Sequence, residues 1–333
     1  MFNLFPLLGF FNAFLGPIGM LSYLCGVKIF KVKFGLFDSL FLLFLITMFF
    51  INLLFFESFL VISTFRFYFG FFVFYAFFKS GGGFPIRTVL LLLLIIIPIE
   101  TFMINTFVSP YDMPNFPSEE MSSHFNPGGY QRPYSFGGNA SVSSSIFVIL
   151  LSMVSISSIR KYIAVVCVFV FSSGSGIISL FLLFLLKRIR VFLYLLGFIS
   201  IIIFAFHTSI VNYIDSLGLK VNSRYILFLV EFKLDQVTDH FNGFSQFNYA
   251  FGNLETLKEG YGGDFGWLFF VLGFGYIPFI ILNVFILSKA TKNTIIPIII
   301  AIVSTFHYPV IFFLPGQIIL GYLLSQKYKS SNF

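Results

Sequence analysis

The chain has 333 residues, 58% of them hydrophobic and only 10% charged, with a formal net charge of +7. Soluble domains carry about 25% charged residues, so this composition, with a mean hydropathy of +0.97, excludes a water-soluble enzyme and indicates a bilayer protein. Apolar blocks of about 20 residues recur along the chain, which indicates membrane helices and excludes the short alternating strands of an outer-membrane barrel.

Taken in order, the apolar blocks predict eleven transmembrane helices, at 4–25, 37–56, 59–78, 88–107, 141–158, 161–173, 176–187, 190–209, 265–287, 294–308 and 311–326. The first block has no basic region and no small-residue cleavage site ahead of it, so a retained anchor is expected. Phenylalanine occurs 54 times, and the simplest account is that lipid-facing positions accept it as readily as leucine. Cys25 and Cys167 each lie inside an apolar block, without the spacing of a metal site or a disulfide framework. Pro309 and Pro315 are expected to bend or break the last two spans.

Orientation follows from the basic residues. With the N-terminus outside, one face receives Lys28, Lys31, Lys33, Lys79, Arg87, Arg160, Lys161, Lys187, Arg188, Arg190, Lys289, Lys292, Lys327 and Lys329, which is 14 of the 20. The positive charge is therefore a topology signal rather than a sign of a nucleic-acid partner. The C-terminus is then cytoplasmic, the N-terminus is on the opposite side, and two polar loops at 108–140 and 211–263 face away from the cytoplasm. The chain reads as a single integral membrane domain from which these loops emerge, the second one beginning with interfacial helix.

Arg66 and Glu100 each lie seven residues from the outer ends of spans three and four, roughly 10 Å below the surface. Charges at such depth face the bundle interior, either as a structural ion pair or as a polar floor beneath a substrate. His207 and His307 lie near outer span ends, where hydrogen bonding at headgroup level is the simpler role. Ser172-Ser173-Gly174-Ser175-Gly176 joins two short spans and would permit close helix approach. The larger loop holds Arg224, Asp239, His240 and Glu255, and Asp264 follows it directly. There is no nucleotide-binding loop, zinc-ligand spacing or metal-binding acidic pair, so no cofactor or metal is expected.

At four places the sequence resembles the Wzy-type O-antigen polymerases and the related O-antigen ligases. Arg132-Pro133-Tyr134-Ser135-Phe136-Gly137-Gly138-Asn139-Ala140 resembles their Arg, Gly, Asn pattern leading into a span. Ser173-Gly174-Ser175-Gly176-Ile177 resembles their serine–glycine turn, with Gly174 where a basic residue is usual. Ser223-Arg224 resembles the Gly-Arg that opens the large loop. Phe251-Gly252-Asn253, with Asp264-Phe265-Gly266-Trp267 and Gly273-Phe274-Gly275, resembles that loop's exit, although Gly263-Asp264 stands where ligases carry His-Asn.

The resemblance implies a metal-independent glycosyltransferase of GT-C-like architecture in the bacterial inner membrane. It would join undecaprenyl-pyrophosphate-linked oligosaccharide repeats, donor and acceptor both lipid-linked, at the outer face during lipopolysaccharide or other polysaccharide biosynthesis. A Wzz-type co-polymerase is the implied regulatory partner. Arg132 and Arg224 would meet the pyrophosphate, since a guanidinium fork matches phosphate oxygens, with Arg66, Asn139 and His307 as further substrate contacts. Asp264 or Glu255 would act on the acceptor hydroxyl, with Asp239 and His240 behind them. The alternatives are a ligase that transfers glycan to lipid A core and, in a different class, a repeat-unit flippase. A flippase should carry charges through both leaflets, whereas here the inner halves of the spans are almost free of them.

Overall fold

The computed structural model describes residues 4–107, 130–188, 238, 241, 243–258 and 265–329. Among these residues all regular structure is helical. Short helices α1 (Phe5–Phe10) and α2 (Asn12–Leu15) lead into a 3₁₀ helix over Gly16–Lys31. Then follow α3 (Leu36–Phe55), α4 (Ser58–Phe69), α5 (Phe71–Lys79), α6 (Ile86–Thr106), α7 (Ala140–Met153), α8 (Ser158–Val170) and α9 (Gly174–Lys187). After an intervening segment come α10 (Gln246–Phe251), α11 (Gly266–Phe274), α12 (Tyr276–Ser288), α13 (Ile295–Ser304) and α14 (Leu314–Lys329).

The expected row of eleven uninterrupted spans is not what the described residues build. Three stretches, Asn12–Lys31, Leu36–Phe55 and Ile86–Thr106, are long and apolar enough to cross a membrane, and α4 with α5 makes a fourth if that bent pair is one span. α3 and α6 match the predicted blocks 37–56 and 88–107 within two residues at each end. Their lipid-facing character is plain in the exposure of Leu40, Leu43, Phe50 and Leu54 on α3 and of Ile95, Ile99 and Phe102 on α6, a quantity of exposed apolar surface no soluble monomer carries. The predicted span at 190–209 lies outside the described residues.

Glycine explains most of the breaks. The first block reverses at Gly16, whose φ of +54° with ψ of −133° is a backbone conformation that glycine adopts readily and other residues rarely, and Gly9 and Gly19 lie against Ser22 and Asn12 across the reversal. The 3₁₀ helix that follows has 16 residues, far beyond the usual three or four. At about 2.0 Å per residue such a helix reaches about 32 Å, enough for a bilayer core of about 30 Å. The predicted span at 265–287 divides into α11 and α12 at Gly275, where φ is +82°.

α4 and α5 meet at Gly70 with a bend of 51°. A break in a membrane helix exposes carbonyls that only protein can satisfy, and Gln317 of α14 does so here. Its side-chain amide donates to the carbonyls of Arg66 (3.0 Å), Phe67 (2.7 Å) and Phe312 (2.7 Å), while its Oε1 accepts from the Tyr23 hydroxyl at 2.7 Å. A side chain on Gly70 would fall 2.3 Å from Gln317 Oε1, so glycine is what admits the bracket. One turn further along α14, Gly321 lies against the α5 backbone, where a Cβ would come within 2.6 Å of Tyr75 N. Small residues permit such backbone approach.

Phenylalanine does more than face lipid. Phe71, Phe74, Phe77 and Phe78 of α5 are almost wholly buried against α14 and its neighbours, and Phe270, Phe274 and Phe312 form an edge-to-face group around Tyr68. Aromatic pairs of this geometry are worth about 0.5–1.5 kcal/mol beyond area burial. The core is therefore aromatic where the sequence alone suggested lipid-facing substitution.

The ends of α3, α5 and α12 are joined by charge. Asp38, fully buried in the first turn of α3, receives Lys79 Nζ from the end of α5 at 2.5 Å, the Tyr75 hydroxyl at 2.9 Å, and Lys289 Nζ from just beyond α12. Lys79 also stands over the Phe34 ring at 5.4 Å and Lys289 over Phe285 at 5.3 Å. Lys79 and Lys289 thus come to one end of the bundle, hereafter the basic end, as the charge asymmetry of the sequence requires.

Two stability outcomes are expected. Asp38→Asn leaves two buried ammonium groups without their carboxylate and should cost about 3–5 kcal/mol; an unchanged thermal midpoint in detergent would show that the cluster contributes little. Gln317→Leu strips the bent α4–α5 junction of its donor and should cost about 1–3 kcal/mol by the same assay, with Gln317→Glu no better, because a carboxylate cannot donate.

Candidate functional site

At the end of the bundle opposite the basic end, the residues after the first polar loop turn inward. Asn105 near the end of α6 grips Gln131, accepting from its N–H and donating to its carbonyl, each at 2.8 Å. Beyond it, Pro133 to Gly137 are buried. Ser135 takes a φ of +53°, which for a residue other than glycine is a strained backbone. Its N–H donates to Glu100 Oε1 at 2.8 Å. Glu100 is itself only 7% exposed. Among the described residues its second oxygen has no hydrogen-bond partner, and the Ser135 hydroxyl lies beside the same carboxylate.

Two further side chains hold this inserted segment. The Ser143 hydroxyl donates to the Tyr134 carbonyl at 2.5 Å and accepts from Gly137 N–H at 2.9 Å. Asn139 begins α7, its Oδ1 accepting from the N–H groups of Ser141 (2.8 Å) and Val142 (3.3 Å), the usual work of an asparagine at a helix N-cap. The Arg132 guanidinium lies 5.9 Å from the Tyr134 ring centroid, at the mouth of the inserted stretch.

The serine–glycine turn between α8 and α9 docks on the same helix. Ser173 Oγ donates to Ser141 Oγ at 3.0 Å and lies 3.0 Å from Ser175 Oγ, which donates to the Ser141 carbonyl at 3.2 Å. Gly176 packs against Ser144, and one turn deeper Ser179 meets Ser304 of α13 at 2.8 Å. Ser172, preceding this group, is the second non-glycine residue with positive φ, at +46°. The result is a buried polar junction of hydroxyls in an otherwise apolar bundle.

The exit of the second loop forms a separate arrangement. Asn253 N–H donates to the Leu272 carbonyl at 2.8 Å, and a Cβ on Gly252 or Gly275 would come within 2.3 Å of backbone in the other segment. Leu254 and Leu257 are buried beneath this crossing. Glu255 points to the surface, pairing at 2.5 Å with Lys258, both side chains nearly half exposed. The Glu255 carboxylate holds the Lys258 ammonium above its ordinary range.

The predicted site residues separate accordingly. Arg132 and Asn139 come together with Glu100. Arg66 does not join them: its residue is exposed, the Gln317 bracket uses its carbonyl, and no ion pair with Glu100 forms. Glu100 instead takes its partners from the inserted backbone. His307 is exposed, its ring 4.8 Å from that of Tyr308. Arg224, Asp239, His240, Asp264 and His207 lie outside the described residues. Sequence reasoning did not single out Ser141, Ser143 or Gln317, although serine at 141 and 143–145 within an apolar block was a visible signal. Among the described residues no group of three or more His, Cys, Asp or Glu side chains gathers.

Comparison with protein-family models, with curated proteins and with solved structures finds no match to this chain. The class that its fold defines is an all-helical protein embedded in a membrane through apolar helices.

Because Glu100 and Arg66 do not touch, their substitutions should act independently. Glu100→Leu should lower the thermal midpoint or the membrane abundance and Arg66→Met should scarcely do so, with the double variant additive to within about 0.5 kcal/mol. A coupling well above that in a double-mutant cycle would restore the ion pair.

Proposed function

We propose that the chain is a lipid-linked glycan polymerase acting on undecaprenyl-pyrophosphate-linked repeat units. The observation that carries this reading is the docking of the Ser173–Ile177 motif on Ser141, the residue that follows the Arg132–Ala140 motif, through the hydrogen bonds of Ser173 and Ser175. Both motifs carry the resemblance, and the polar junction at Ser141 supports reading them as parts of one site. In the proposed reaction the acceptor sugar's hydroxyl oxygen attacks the anomeric carbon of the donor glycan. The bond from that carbon to the pyrophosphate oxygen breaks, the hydroxyl proton passes to a carboxylate, and undecaprenyl pyrophosphate departs with the electron pair.

Arg132 is the described cation suited to the leaving group, because a guanidinium can donate two parallel N–H groups to phosphate oxygens where lysine offers a single point charge. Arg224 is its proposed companion. Asp264 is the first choice for the proton acceptor, ahead of Asp239 and His240, and Glu255 is the weaker candidate because Lys258 already engages it. Asn139 is committed to capping α7 and supports the site through the backbone it fixes.

In cells that depend on this chain for their surface polysaccharide, Arg132→Ala should reduce the ladder to a single repeat while the protein remains in the membrane. Arg132→Lys should give short or sparse chains. Loss of a charged transition-state contact of about 3 kcal/mol slows turnover on the order of 100-fold, enough for that effect. A normal long ladder from Arg132→Ala would remove this arginine from the site, and loss of the single repeat as well would point to ligation or export.

A further inference from the structure

Three cavities lined by described residues, each large enough for a small ligand, open at the basic end, away from the junction described above. One of about 620 Å³ lies between α7, α8 and α9, with Leu151, Val165 and Leu183 as its apolar wall and Lys161, Lys187 and Arg188 at its rim. A second, of about 550 Å³, shares Met153, Val154 and Ser155 with it and carries Arg87. A third, of about 570 Å³, shares Met153 and Tyr322 with the second and carries Lys292. The shared walls make one groove running beneath the C-terminal end of α7.

The electrostatics of this groove are one-sided. Five cationic residues line it and no aspartate or glutamate does. Lys161 and Lys187 stand close enough to repel each other. No carboxylate among the described residues forms an ion pair with any of the five, whereas Lys79 and Lys289 at the same end of the bundle share Asp38. α8 opens onto the groove without a side-chain cap at Ser157, and α6 opens onto it without one at Pro85, so the positive ends of two helix dipoles add to the field. On its outer flank α8 exposes Ile159, Tyr162, Ile163 and Val166, which leads the groove directly to lipid.

We propose that this groove is a binding site for an anionic phospholipid of the surrounding bilayer, its phosphate held by Lys161, Lys187 and Arg188 and its acyl chains lying against Leu151, Val165 and Leu183. The apolar wall is the reason to choose a lipid over free phosphate, since a soluble anion would leave that wall unused. Basic pockets between helices at a membrane face suit such headgroups. The inference is independent of the polymerase reading.

The test is native mass spectrometry of the intact protein with phosphatidylglycerol or phosphatidylcholine, using Lys161→Gln/Lys187→Gln beside a control, Lys31→Gln/Lys33→Gln, that removes the same charge from the same end. Wild type and control should retain one or more phosphatidylglycerol molecules and far less phosphatidylcholine. The groove variant should bind phosphatidylglycerol about 25-fold more weakly, roughly fivefold for each charge removed. Ser155→Trp, which fills the groove without altering its charge, should lose the lipid too while keeping the wild-type thermal midpoint of the lipid-free protein. Equal losses in the groove and control variants would overturn the proposal in favour of general surface charge. Displacement of the lipid by millimolar inorganic phosphate would make this a free-anion site instead, and absence of bound phosphatidylglycerol from the wild type would remove it.

Discussion

The Asp38 carboxylate accepts from two ammonium groups and a phenol almost entirely out of water, and those donors come from α5 and from the residue following α12. Three segments separated by up to 251 positions in sequence are thereby pinned at a common depth, since Lys289 and Asp38 are that far apart. Inside a bilayer, apolar packing alone does not set such a register, because lipid competes for the same surfaces. A desolvated ion cluster does, since sliding any one of the helices by a turn would strand a charge. The aromatic packing of Phe41 on Phe285, with centroids 3.9 Å apart, depends on that register.

The opposite end is organised by backbone satisfaction instead of charge. Helices there break or begin inside the bundle, and side chains supply the bonds: Gln317 of α14 at the α4–α5 bend, Asn139 and Ser143 around the start of their own helix α7, and Ser173 and Ser175 of the α8–α9 turn, which donate to Ser141. Such polar atoms would be costly in hydrocarbon if left alone. They are tolerated because each finds a partner; among the described residues the Glu100 second oxygen is one of the few buried side-chain atoms that does not.

Much of the scaffold was readable before any coordinates. α3 and α6 are long, apolar and uninterrupted, and their limits follow from hydropathy with little error. The common end of Lys79 and Lys289 followed from counting basic residues, since charge is excluded from the bilayer core whatever the packing. The breaks were harder to see, because glycine at 16, 70 and 275 is as common inside membrane helices as between them. Judging Arg66 and Glu100 by depth placed them at the same level and so suggested a pair, but depth carries no information on azimuth, and the two side chains point to different neighbours. The inserted Pro133–Gly137 stretch was readable as loop from its composition, while its burial depends on the Glu100 carboxylate and Ser143 hydroxyl, which are distant or non-obvious partners. The candidate residues Arg224, Asp239, His240 and Asp264 rest on chemistry and sequence context, and they lie outside the described residues.

The shortness of α7 and α13 has a consequence for how the bundle is filled. With 14 and 10 residues, they extend about 21 and 15 Å along their axes at 1.5 Å per residue, against a hydrocarbon thickness of about 30 Å. α7 is buried from Ala140 to Leu151 and meets protein instead of lipid, so the depth it leaves unfilled is closed by chain, with the buried Pro133–Gly137 stretch ahead of its first turn.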